Sequence, residues 1–203
     1  MKMTTLDRAL LFITVFLSAY QIVVGIDDLS TAPITAYTIA FGVLLVAALL
    51  LIILGFDVLD SPIVVIVSTI IPLALSLGLV WEHLASYRAL YLVFTIIGFL
   101  AVIFTRTALM RNHAHIPTIT IAIVHGIAGI TIFLLPIILS VQVVMKPAFS
   151  LVGIGGALIG IDGLLLSFLK GGKPILSRDA TLKIFPSLLL LMTICFVAGF
   201  KFG

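Results

Sequence analysis

Charge is what this chain has least of. Only 9% of its 203 residues are Asp, Glu, Lys or Arg, against 63% hydrophobic. Soluble domains carry about a quarter charged residues, so a water-exposed globule is excluded by composition. Cysteine is nearly absent too. The single Cys195 lies inside an apolar run, which rules out an intrachain disulfide and leaves a small buried hydrophobe. Long polar linkers are missing, as are Gly-x-Ser-x-Gly, His-Glu-x-x-His, P-loop and Cys-x-x-Cys patterns. Lysine is missing from the body of the last apolar run, which excludes a retinal Schiff base there. The basic residues are scattered, with no stripe for phosphates, so nucleic acid is not an expected partner.

What remains is a series of uncharged apolar stretches, each long enough to cross roughly 30 Å of hydrocarbon as a helix. The fold expected is all-α: a polytopic helical bundle with seven transmembrane helices, forming one domain over residues 1–203. The approximate helices are 9–26, 33–56, 62–82, 87–106, 117–142, 147–169 and 183–200. The first stretch follows Lys2 and Arg8 as a secretory signal would. It is longer than a usual signal core, and Gly25-Ile26-Asp27-Asp28 is no cleavage site, so it is read as retained.

Alternating the helices collects Lys2, Arg8, Arg106, Arg111, Lys170, Lys173, Arg178 and Lys183 on the side of the N-terminus. Arg88, Lys146 and Lys201 fall on the other. Because cytoplasmic loops carry the excess of Lys and Arg, the N-terminus is expected in the cytoplasm and the C-terminus outside. Pro33, Pro62, Pro117 and Pro147 open runs, Gly171-Gly172 closes one, and Pro72, Pro136 and Pro186 predict kinks in helices three, five and seven.

Polar residues follow helical spacing. Thr14, Ser18, Gln21 and Gly25 share a face of helix one, Ser68, Pro72, Ser76 and His83 one of helix three. Tyr87, Tyr91, Thr95, Gly98 and Thr105 align in helix four, and Thr118, His125, Gly129, Pro136 and Ser140 in helix five. The plain reading is helix–helix contact, with small residues allowing close approach and hydroxyls bonding across. Gly153, Gly156, Gly160 and Gly163 form the expected packing seam of helix six. Asp162 falls on the opposite side, with Gly155, so helix six is expected at the centre of the bundle.

Ionisable groups in hydrocarbon are costly and mark function by default. His125 and Asp162 sit at similar depth on consecutive helices, about 10–12 Å from their ends, and are expected to meet directly or through one water. With Ser18, Thr118 and Gln21 they form the candidate proton relay. A second polar group, Asp27, Asp28, Glu82, His83 and Tyr91, gathers at the outer surface. Asp57, Asp60, Arg106, Arg111, His113 and His115 lie at the inner one, and two histidines alone make a weak metal signal. No metal or other cofactor can be assigned.

The expectation is a small protein of the cell membrane that translocates protons or a small solute along a polar path between helices, without catalysis of its own. The alternative is an accessory transmembrane subunit of a larger respiratory or redox complex, contacting a quinone or haem through His125. A lipid-modifying enzyme fits less well. The expected partners are the lipid bilayer and either other membrane subunits or further copies of the chain.

Overall fold

The structure is a computed structural model, and it describes residues 3–26, 29–107, 115–170 and 175–203. The side chains of Asp60, His115, Ser167 and Lys170 are not described. Asp27, Asp28, Lys2, Arg111, His113, Gly171, Gly172 and Lys173 therefore lie outside the described residues.

The helices are α1 (Thr5–Val24), α2 (Thr31–Leu54), α3 (Pro62–Ser68), α4 (Ile70–His83), α5 (Arg88–Arg106), α6 (His115–Val141), α7 (Ser150–Lys170) and α8 (Arg178–Phe202). With α3 and α4 taken as one span, seven stretches are long and apolar enough to cross a membrane. No strand occurs among the described residues. This is a multi-pass helical membrane protein. An odd number of passes puts the termini on opposite faces, called here the N-terminal face and the C-terminal face.

Local chemistry sets the helix ends. Thr4 caps α1 by accepting from the Asp7 N–H, while the Asp7 carboxylate accepts from the Thr4 N–H at 2.8 Å, a reciprocal capping box. Ser177 caps α8, so that helix starts five residues earlier than its apolar run and carries Arg178, Asp179 and Lys183 in its first turns. Gly25 and Gly55 end α1 and α2 at positive φ, a backbone region that glycine enters without strain.

The prolines act unequally. The third span breaks at Thr69, between α3 and α4, where the Pro72 ring would crowd the carbonyl four residues back at Ser68. Helices α6 and α8 continue through Pro136 and Pro186.

Most of the core is one cluster drawn from α1, α2, α4, α6, α7 and α8, including Leu11, Phe41, Leu79, Ile132, Val152 and Phe196. A smaller cluster, Leu73, Val102, Val124 and Ala128, joins α4, α5 and α6. The most buried spans are the third and the seventh, at 56% of their apolar windows, against 33% for the sixth. Helix six is thus not central as its two occupied faces implied. Polar and small residues around a helix do not require protein on every side.

Candidate functional site

The polar face of α1 is turned inward. Leu11, Thr14, Ser18 and Gln21 are all buried, while Phe12, Phe16 and Val23 are exposed. Here the apolar side of the helix meets the hydrocarbon and the polar side meets α2 and α8. Most hydroxyls do not bond across helices, as small-residue stripes had implied. Thr14 donates to the Leu10 carbonyl, Ser76 to Pro72, Thr105 to Ala101 and Thr193 to Leu189, each four residues back on its own helix. Gln21 donates to the Gly25 carbonyl at 2.8 Å, closing the end of α1. Ser18 Oγ is buried with no partner. Thr14, Ser18 and Gln21 thus form a stripe on α1, a helix packed on α2 and α8, apart from the residues of α6.

Glycines fix how α6, α7 and α8 meet. A Cβ on Gly153 would lie 2.6 Å from the Phe133 carbonyl oxygen, and one on Gly156 2.7 Å from Ile132 Cγ2. On the other side of α7, Gly155 faces Phe196 at 2.8 Å and Gly199 of α8 faces Val152 at 2.6 Å. The backbones therefore touch where these glycines stand. Gly160 and Gly163, expected in the same seam, have nothing within 4 Å. The α6–α7 contact is closest at Gly153 and Gly156 and has opened at Gly160 and Gly163. Gly126 and Gly129 of α6 are likewise unopposed. Gly155 and Gly199 were missed in the sequence, although a lone glycine in an apolar run is the signal for such a contact.

This register locates the ionisable pair. Two turns from Ile132 towards the N-terminal face stands His125, and two turns from Gly156 stands Gly163, next to Asp162. The two residues are level, as counting depth had implied. Their directions differ. His125 shares the Ile132 face, towards α7, and Asp162 shares the Gly155 face, towards α8. No hydrogen bond joins them among the described residues: His125 has the Ile121 backbone beside it, and its buried Nδ1 and the buried Asp162 Oδ1 lack a well-formed hydrogen bond. Asp162 is only 7% exposed. Thr118 lies two turns from His125 on the same face of α6.

A third member comes from α5. Arg106, in its last turn, has a buried Nε with no partner, and its charge acts on His125. Three neighbouring helices thus each carry an unsatisfied polar atom in the half nearer the N-terminal face. Buried polar groups without partners are rare, and each calls for an explanation.

On the C-terminal side the polar group divides. His83 stacks edge-on against Phe149, with centroids 5.4 Å apart, and Glu82 lies near it on the same end of α4. Tyr91 belongs elsewhere: its hydroxyl donates to Thr131 Oγ1 on α6 at 3.2 Å, with Ser76 beside it. Between this hydroxyl group and His125 stands the apolar plug of Leu73, Val102, Val124 and Ala128. Along α4, α5 and α6 the order is hydroxyls, hydrocarbon, then imidazole and guanidinium.

Comparison with protein-family models, with curated proteins and with solved structures finds no match. The chemistry must therefore be read from the side chains. A carboxylate alone in a low-dielectric interior is unstable unless a proton, water or a cation neutralises it. An imidazole stands at the same level on the next helix. The arrangement suits uptake and release of a proton; nothing in it resembles a nucleophile with its base.

Proposed function

We propose that this chain translocates protons, or a small solute coupled to them, across the cell membrane, with Asp162 and His125 as the groups that gain and lose the proton. The observation carrying this reading is Asp162: a carboxyl 7% exposed, with an oxygen lacking any partner, in an apolar span. A residue kept for structure alone would be paired. The plug at Leu73, Val102, Val124 and Ala128 separates His125 from the Tyr91 hydroxyl, as a hydrophobic constriction does in a gated pathway. The break at Thr69, one turn from Leu73, gives the third span a point about which the plug can shift, and broken helices are frequent at such sites. The basic residues favour an N-terminal face in the cytoplasm and a C-terminus outside.

The test is proton flux in liposomes loaded with a pH-sensitive dye. The wild-type protein should dissipate an imposed gradient, and Asp162→Asn should abolish the flux without loss of fold. His125→Gln should slow it. Full flux through Asp162→Asn would end the proposal.

A second reading, an accessory subunit of a membrane complex, is favoured by the unpacked Gly160–Gly163 side of α7, which another helix could complete. Purification in mild detergent separates the two. Stoichiometric partner chains, a visible haem spectrum or bound quinone lost in His125→Ala would favour the subunit.

A further inference from the structure

A groove opens sideways between α4, α5 and α6 in the half of the bundle nearer the C-terminal face. Its cavity is about 300 Å³ and is lined by Val80, Leu84, Leu90, Ile130, Leu134 and Ile138, with Tyr91 and Thr131 also in its wall. Leu90 and Ile130 are 67% and 60% exposed, so the groove faces the surroundings of the bundle, which at this level are lipid. Ile130 to Ile138 covers about 12 Å along α6, most of the roughly 15 Å that one leaflet's hydrocarbon occupies. In the wall the Tyr91 hydroxyl donates to Thr131, and the Thr131 hydroxyl is committed to the Ile127 carbonyl. Apart from the Tyr87 hydroxyl the remaining wall is hydrocarbon, which suits an acyl chain.

The mouth is different. Arg88 stands one turn from Tyr91 on α5, next in sequence to Tyr87 of the groove wall. Its Nε donates to the Trp81 carbonyl and its guanidinium lies 5.9 Å over the Trp81 ring. These contacts fix the side chain by one nitrogen and one face. The two terminal amino groups keep their donors in the plane that a phosphate meets bidentately, and no carboxylate pairs with Arg88 among the described residues. We infer that this groove is a binding site for an anionic phospholipid, with its phosphate on Arg88 and one acyl chain lying along α6. The inference is independent of proton movement. A fixed cation above an apolar slot between transmembrane helices is the general form of an anionic-lipid site.

Native mass spectrometry of the full-length protein released from nanodiscs tests it, with phosphatidylglycerol and phosphatidylcholine as the probes. The wild type should retain one phospholipid and prefer phosphatidylglycerol about fivefold, the share expected of one basic side chain. Arg88→Gln should lose that preference while still retaining lipid. Filling the slot with Leu134→Trp should remove the retained lipid; Ile130→Trp serves the same purpose if the first variant misfolds. Equal occupancy of the two lipids by wild type, or lipid retained by a folded filled-groove variant, would overturn the site.

Discussion

Replacing Asp162 by Leu should make this protein more stable. The carboxyl is 7% exposed and its buried Oδ1 has no partner, so its removal relieves an unpaired buried oxygen. Burying a polar group unpaired costs about 1–3 kcal/mol in proteins, and leucine removes that cost. At roughly 2–4 °C per kcal/mol for a chain of this size, Tm should rise by about 2–12 °C. Cys195 supplies the assay. It is the only cysteine and 8% exposed, so a thiol-reactive fluorophore in detergent lights up only as the bundle opens. Stability gained together with transport lost is the pattern expected of a residue retained for function. A structural partner for Asp162 predicts the reverse, a loss of about 3–5 kcal/mol when one member of a buried pair is removed. A falling Tm would refute the reasoning.

Other expectations concern the framework. Gly153→Ala and Gly156→Ala should each lower stability by about 1–3 kcal/mol, because the new methyl meets α6 backbone that cannot step aside. Gly160→Ala and Gly163→Ala should instead be neutral or gain up to ~1 kcal/mol from helix propensity; equal losses at all four positions would refute the diverging seam. Pro72→Ala restores a backbone N–H and lifts the clash at Ser68, so hydrogen exchange over Ser68–Leu73 should slow; unchanged exchange would mean the break has another cause. On a Cys195→Ala background, cysteine at position 173 should label only from the cytoplasm and at position 146 only from outside, and the opposite pattern would invert the topology.

The elements most legible in the sequence were those set within one helix. Seven apolar runs gave seven spans, and the four-three spacing of Thr14, Ser18 and Gln21 marked the buried face of α1. Pro72 marked the break. The start of α8 at Arg178 was missed, because hydropathy detects the part of a helix that meets lipid and not its polar first turns. What depends on two helices at once was harder. Spacing placed Gly153, Gly156, Gly160 and Gly163 in one seam, yet α6 closes on only the first two, since helices that cross must diverge. Depth counting put His125 level with Asp162 but could not show that one turns towards α7 and the other towards α8. The Tyr91–Thr131 bond joins residues forty apart, with no local pattern to announce it. Arg106 looked like a loop charge until its Nε proved buried.

The central claim is that the Asp162 carboxyl itself changes protonation while the protein works. Infrared difference spectroscopy on the protein in lipid, cycled between acid and alkaline buffer, observes this directly. A carboxyl C=O band should rise and fall with pH in the wild type, shift on deuteration, and be missing from Asp162→Asn. A difference spectrum identical in wild type and Asp162→Asn would contradict the account.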